Sequence, residues 1–454
     1  MLLKVGFAWT KVAEASATED AFLKAYLTFR EKGARGATKT RSLLRPGRLF
    51  PSGLARRLCK AARDNGYILQ VVTRTPQQVL TPLAGYKNWV PRKHQAEALA
   101  LICKQPRGLI QHATGSGKGD LICFLACCVI KGPVLIVTSS LKLLDDLHKR
   151  CIRFGYNAGR MGGGMAEKTQ RVIVSTDDSL KKFTEKDLLR FTAVLVDECH
   201  GVGAVGLWKT LMRCLNAEIR IGFSATSLDR ADRKGLYIIG ALGDTIHRYT
   251  PEQAAADGVI SQARLRMVPH TNAPTSTAFG YTEWEAAAIA TNRARNLKLL
   301  RLIDAAPSPR IVFVRTKQHQ DELVAKIGLL YCAFVNDETS PEDMERIIAR
   351  FRNGEIPTLV STPIFRQGVD IPEIKSVING AGGKAVIDVI QKVGRGSRRL
   401  QADGTTKNEF WVWDLDDKGC GLCGGAHKGC EWFEKHSAAR RRAYTKFGYT
   451  VLDT

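Results

Sequence analysis

Short, mainly apolar runs recur along the chain at 109–112, 134–138, 172–176, 194–197 and 219–226, and again at 310–314 and 357–362. Such runs predict strands buried on both faces of a parallel sheet. Helical spacing falls between them. Pro91 opens an amphipathic stretch with Ala98, Leu99 and Ile102 on one face, residues 121–130 form an apolar helix, and 281–306 and 432–444 have the same period. Strand and helix alternate twice, which predicts two α/β domains. At the N-terminus Phe22, Leu23, Tyr26 and Leu27 predict a helix over 18–31, and 67–73 predicts a strand. Pro, Thr, Ser and Asn accumulate around 268–277 and mark a linker. The expected division is an accessory domain at 1–85, a first main domain at 86–268, a linker at 269–277, a second main domain at 278–415 and an extension at 416–454.

Composition changes this picture in one respect. The 454 residues are 44% hydrophobic and 25% charged, ordinary for a folded protein, but the net charge is +24. An imbalance of that size implies an anionic partner, with nucleic acid as the first candidate. Residues 1–85 contribute 15 basic against 5 acidic side chains, and 32–41 reads as a polar basic loop suited to a phosphate backbone. The N-terminus lacks the apolar core of a signal peptide, and no apolar run approaches a bilayer span, so no membrane partner and a cytoplasmic location are expected. The 12 cysteines, several inside apolar runs, read as buried thiols in a reducing compartment.

The chemistry is carried by two half-motifs. Residues 109–120 read strand, glycine-rich turn, helix, with Thr114, Gly115, Ser116, Gly117 and Lys118 in the turn. Glycines let backbone N–H groups turn toward a phosphate, the helix adds its positive end, and Lys118 adds a point charge. Against the full phosphate-loop pattern, His112 replaces the first glycine, and Gly119 replaces the hydroxyl residue that holds Mg²⁺. The second half-motif is a buried run ending in Asp197, Glu198, Cys199 and His200. Asp197 can bind Mg²⁺ through water, and Glu198 can orient and deprotonate an attacking water.

In this order the two half-motifs resemble the superfamily 2 helicases and translocases, over roughly residues 90–415. The resemblance implies two tandem RecA-like domains with ATP and Mg²⁺ between them. It implies Arg92 and Gln95 as the adenine-reading segment, His200, Ser224, Thr226 and Gln391 as coupling residues, and Gly368 and Asp370 facing the nucleotide. Gln391 to Arg398 fits Q-x-x-G-R-x-x-R, which makes Arg395 and Arg398 the guanidinia that reach the transferring phosphoryl. Ser139, Ser140, Gly163, Thr176, Thr316 and Thr362 match positions that hold a nucleic-acid backbone. The compact motor, the basic N-terminal segment and the chain ending most resemble bacteriophage helicases of the UvsW type. That implies a monomer acting on single-stranded, duplex or branched DNA in replication, recombination or repair, in the host cytoplasm if phage-encoded. RNA is the alternative substrate, since such grips separate RNA from DNA only through the 2′-OH. A clamp that has lost ATP hydrolysis is the other rival, prompted by Gly119.

One motif lies outside the resemblance. Cys420, Cys423, His427 and Cys430 set out C-x2-C-x3-H-x2-C in a glycine loop, a spacing that can hold a structural Zn²⁺.

Overall fold

A computed structural model describes residues 1–32, 38–87, 89–226, 228, 234–271, 283, 285–328, 332–336, 338–362, 371, 373–384, 393–394, 396–399, 404–419 and 430–452. The chain divides into two compact units, Met1–Tyr249 apart from Ala113–Ser116, and Ala113–Ser116 with Thr250–Thr454.

The first unit holds an eight-stranded sheet in the order β10-β9-β11-β8-β12-β13-β7-β14. Its strands are β7 (Arg107–His112), β8 (Val134–Thr138), β9 (Gly159–Gly162), β10 (Met165–Ala166), β11 (Val172–Thr176), β12 (Ala193–Asp197), β13 (Ile219–Ser224) and β14 (Thr245–Tyr249). All neighbours are parallel except β9 and β10. Every residue of β8, β11 and β13 is buried, as unalternated apolar runs require. The helix expected over 121–130 starts at Lys118 and passes at Leu125–Val129 into a π-helical turn.

The N-terminal residues add a four-stranded sheet, order β5-β2-β1-β6, from β1 (Leu2–Val5), β2 (Trp9–Glu14), β5 (Leu49–Pro51) and β6 (Gln70–Thr73). A hairpin of β3 (Thr28–Lys32) and β4 (Thr38–Ser42) stands beside it. The expected 18–31 helix is Ala17–Leu27, with a Ser16–Glu19 capping box at its start. It stops there because Thr28 and Phe29, better suited to a strand, pair with Ser42 and Arg41.

These residues do not form a core of their own. Leu3, Phe50 and Leu58 share one apolar cluster with Trp208, Ile238 and Leu242 of the larger sheet's layers. Trp9 Nε1 donates to the Met212 carbonyl at 3.1 Å. At Gly53 a Cβ would lie 1.9 Å from the Ile239 carbonyl oxygen, so only glycine admits this approach. The accessory segment expected at 1–85 is therefore continuous with the first main domain in its packing.

The second unit is a seven-stranded, all-parallel sheet in the order β17-β18-β16-β19-β20-β15-β21. Its strands are β15 (Gln262–Thr271), β16 (Arg310–Phe313), β17 (Cys332–Val335), β18 (Thr358–Ser361), β19 (Ser376–Asn379), β20 (Glu409–Lys418) and β21 (Val451–Leu452). Two expected boundaries move. β15 belongs to this sheet, not to the first domain or a linker, because it pairs along its whole length with β20, from Gln262 opposite Glu409 to Thr271 opposite Lys418. The extension expected from 416 is likewise built in: β20 runs into its start at Lys418, helix Cys430–Lys446 places Tyr444 in the sheet's core, and β21 pairs with β15. No helix among the described residues is long and apolar enough to cross a membrane.

Candidate functional site

The order β12-β13-β7 places three strand ends side by side, with Asp197 opposite Phe223 and Ser224 opposite Gln111. Carboxyl ends of parallel strands are where open α/β sheets collect ligands. β7 delivers the glycine turn. Gly115 and Gly117 take φ of 84° and 86°, in the left-handed region, and Gly117 caps the helix that begins at Lys118. Lys118 Nζ donates to the His112 carbonyl at 3.1 Å, which folds the ammonium back over the turn.

Gln95 is tied to the same turn. Its Oε1 accepts from the Arg92 amide at 2.9 Å, and its Nε2 donates to the Gly117 carbonyl at 3.0 Å. A Cβ at Gly117 would lie 2.7 Å from that Nε2, so the glycine is needed for this contact as well as for its φ.

The acids follow β12. Glu198 has φ 48° and ψ 49°, a left-handed conformation that a non-glycine residue rarely adopts. The turn sends its carboxylate toward β13: Ser224 Oγ donates to Oε2 at 3.2 Å, and His200 Nδ1 lies 3.2 Å from the same oxygen. The Glu198 amide donates to Asp197 Oδ1 at 3.0 Å, and the Thr226 amide to Ser224 Oγ at 3.2 Å. The pair is electrostatically split. Burial, then the charge of Glu198, raises Asp197 above the usual carboxylate range. Glu198 is held low against its own burial by the His200 hydrogen bond and the Lys118 charge. One acid is thus kept ionised and hydrogen-bonded, while its neighbour sits where added positive charge would be most stabilising.

That donor set fits Mg²⁺ of the kind held by one carboxylate, water and substrate phosphates. No group of three or more metal-binding side chains occurs among the described residues. Gly119 offers no hydroxyl, and the adjacent Asp120 is engaged by Arg150, which also bonds Asp146 at 2.9 Å.

Behind the glycine turn lies a cluster that sequence reading missed. His112 Nε2 and His247 Nδ1 are 2.7 Å apart, and His94 stacks on Tyr249 with ring centres 3.9 Å apart. Burial pushes the His112 imidazole down to about 2, with the neighbouring histidines adding to the effect. The identity of residue 112 was the available signal, since it departs from the phosphate-loop pattern.

The expected nucleic-acid residues sit at other strand ends. Ser139 and Ser140 follow β8, and Ser140 caps the next helix by accepting from Leu143 at 3.3 Å. Gly163 has φ 59° in the turn between β9 and β10, and Thr176 closes β11 with its hydroxyl donating to Ser179 Oγ at 2.8 Å. In the second unit Thr316 follows β16 as an N-cap, accepting from the His319 amide at 3.2 Å, and Thr362 follows β18. Arg398 is exposed. Gly368, Asp370, Gln391 and Arg395 lie outside the described residues, as do Cys420, Cys423 and His427 and the side chain of Cys430.

Comparison with known proteins agrees with this architecture. Residues 88–229 match the family model described as type III restriction enzyme, res subunit, and residues 294–399 match the helicase conserved C-terminal domain. DNA 3'-5' translocase XPB2 of Sulfurisphaera tokodaii is 25% identical over 67% of this chain and 77% of its own length. The solved structure of S. cerevisiae Dbp5 bound to RNA and ADP BeF3 matches 80% of this chain and 90% of that chain, at 18% identity and TM-score 0.53, which is a likeness of fold. T4 UvsW aligns with 100% of this chain and 99% of its own at 18% identity, but with a TM-score of 0.49 that likeness carries no argument. The two matched family models in tandem, on two parallel-sheet units with a phosphate loop followed by strand-end acids, place this chain in the superfamily 2 helicases.

Proposed function

We propose that the chain is a DNA-stimulated ATPase that uses hydrolysis to move along or remodel DNA. The observation that carries this reading is the split acid pair: Glu198, bonded to Ser224 and His200, beside Asp197 and near Lys118. Glu198 orients the attacking water and takes its proton, Lys118 and the amides of the glycine turn neutralise phosphate charge, and Asp197 would hold Mg²⁺, which supplies charge neutralisation at the phosphates. Arg395 and Arg398 are proposed to add guanidinium charge to the transferring phosphoryl.

His200 and Ser224 share one carboxylate oxygen of Glu198, so a shift at the nucleotide alters the bonding of β13's end and of Thr226 just beyond it. That is a short physical route from hydrolysis to a conformational step. The excess positive charge and the basic N-terminal hairpin supply sequence-independent affinity for phosphate backbones. DNA, including branched junctions, is preferred over RNA here because the translocase relative is described as acting on DNA. A monomer in the cytoplasm is the proposed working form.

Phosphate release, measured with no nucleic acid and with single-stranded DNA, single-stranded RNA and a four-way DNA junction, tests the reading. Stimulation by DNA, greatest with the junction, is expected. Stimulation by RNA alone would transfer the activity to RNA, and no hydrolysis under any condition would leave a binding clamp.

A further inference from the structure

The Gly380–Gly383 turn, residues Gly-Ala-Gly-Gly, follows β19 at the carboxyl edge of the second sheet and has almost no side chain with which to fix itself. Two buried arginines grip it from different helices. Arg295, on helix Arg293–Ala305, donates Nη1 to the Gly380 carbonyl at 2.7 Å, while its Nε and Nη2 meet Asp417 Oδ1 and Oδ2 at 2.7 and 3.2 Å. Arg440, on helix Cys430–Lys446, donates Nη1 to the Gly383 carbonyl at 2.8 Å, Nε to Asp414 Oδ2 at 2.9 Å and Nη2 to the Leu415 carbonyl at 2.6 Å. The two acids belong to β20, whose Asp414 also accepts from Tyr444 at 2.6 Å and from Asn379, the last residue of β19, at 3.2 Å.

Both guanidinium side chains are 0% exposed, as is Asp414, and Asp417 is 1% exposed. A buried ion pair is seldom more stabilising than apolar residues of the same volume, so two of them meeting at one glycine turn call for a reason other than stability. The geometry supplies one. Apolar packing cannot hold a peptide that offers only carbonyls and N–H groups, whereas a planar guanidinium can bridge a carboxylate and a carbonyl in one fixed plane. The turn then leads, through Lys384 and the nine residues after it, to Gly394, Ser397 and Arg398. On its other side lies Arg315, whose Nη1 is 3.9 Å from the place a Cβ on Gly383 would take.

We propose that Arg295 and Arg440, held by Asp417 and Asp414, are positioning residues for the ATPase: they fix the Gly380–Gly383 turn, from which the chain runs on to Arg398. This rests on the ATPase reading above. The glycines give the turn its path, with φ of 62° and 84° at Gly382 and Gly383, and the guanidinia give it rigidity. Lysine at either position keeps the charge beside the aspartate but cannot span both partners.

The test is steady-state hydrolysis by the full chain, with and without single-stranded DNA, for wild type, Arg295→Lys, Arg440→Lys and Gly383→Ala, each checked by circular dichroism and melting. Wild-type hydrolysis tests the ATPase reading by itself. For the variants, kcat is expected to fall by about tenfold or more with KM for ATP within about twofold, because Lys118 and Gln95 are untouched while alignment of a remote group is lost. Folded lysine variants with wild-type kcat and only a lower melting temperature would overturn the proposal and leave a structural ion-pair network. If the lysine variants do not fold, Gly383→Ala decides. It retains both arginines and strains only the turn, so the same loss of kcat is expected, and an unchanged kcat would refute the positioning role.

Discussion

Glu198 is held in a conformation that costs on the order of 1–3 kcal/mol, and its bonds to Ser224 and His200 show what that strain secures: a carboxylate fixed in direction and kept ionised. Glu198→Gln preserves the shape and one acceptor oxygen but cannot take a proton. Turnover is expected to fall about a hundredfold or more with ATP affinity retained, and a wild-type rate would remove Glu198 from the reaction. At Gly119 a Cβ would meet Arg150 Nε at 3.3 Å, the end of a flexible side chain that can give way. Gly119→Thr is therefore expected to fold and to lower the Mg²⁺ concentration for half-maximal ATPase, and a raised requirement would mean that the metal does not use this position. His112 makes a different prediction. Its folded-state value of about 2 lies below the ordinary 6.5, so the unfolded chain binds the extra proton between those values. Stability from this group is present above pH 6.5 and is lost as the pH falls below it. Urea titrations at pH 6.5, 5.5 and 4.5 should show His112→Gln with a stability slope shallower by about 1.4 kcal/mol per pH unit, and an unchanged slope would show that His112 does not titrate between the two states.

At the scale of elements, the buried strands of both sheets were legible because an apolar run without alternation has few other uses. The errors came where pairing partners are far away in sequence. Pro269 lies in β15 opposite Asp416, although proline, threonine and asparagine nearby suggested a linker. Among the described residues, only Leu265 and Arg266 of β15 pair with β21, so Pro269 lies beyond that pairing, where a missing N–H is tolerated. The turn residues Gly115, Gly117 and Lys118 were legible from spacing, whereas the Arg440 to Gly383 bond was not, because no local pattern links positions 57 apart. The N-terminal hairpin is docked by Phe29 against Tyr237, ring centres 5.6 Å apart, and by Glu31, which meets Arg41 at 2.8 Å and Lys234 at 3.2 Å. Its exposed Arg30 and Lys39 are the better probes of DNA contact, since deleting residues 1–85 would strip Leu3, Phe50 and Leu58 from the first unit's core. Arg30→Gln with Lys39→Gln should leave melting unchanged and flatten the slope of log affinity against log salt by about 0.7 per lost contact on single strands. An unchanged slope would place the hairpin off the DNA.

At the scale of the molecule, each unit has its own apolar clusters, the first built around residues such as Trp208 and Phe223 and the second around Phe351 and Tyr444. Urea unfolding is accordingly expected in two transitions, with a nonhydrolysable ATP analogue raising the unfolding free energy of the one that reports the first unit, by about 2.7 kcal/mol at a hundredfold excess over its Kd. A single transition shifted as a whole would mean that the two cores unfold together. The net charge of +24 was legible at once and pointed to the class of partner, but not to which polymer.

The position of β15 between β20 and β21 has a consequence for biosynthesis. On the ribosome, residues 262–271 emerge well before either strand that will flank them, Glu409–Lys418 and Val451–Leu452. At typical elongation rates of 5–20 residues per second, that wait lasts roughly 7–30 s, during which Leu265 and Met267 have no sheet to enter. The first unit has its last strand, β14, by residue 249 and can close earlier. The second unit instead completes only once Val451–Leu452 has left the tunnel, and in that interval a nascent-chain chaperone would find its substrate.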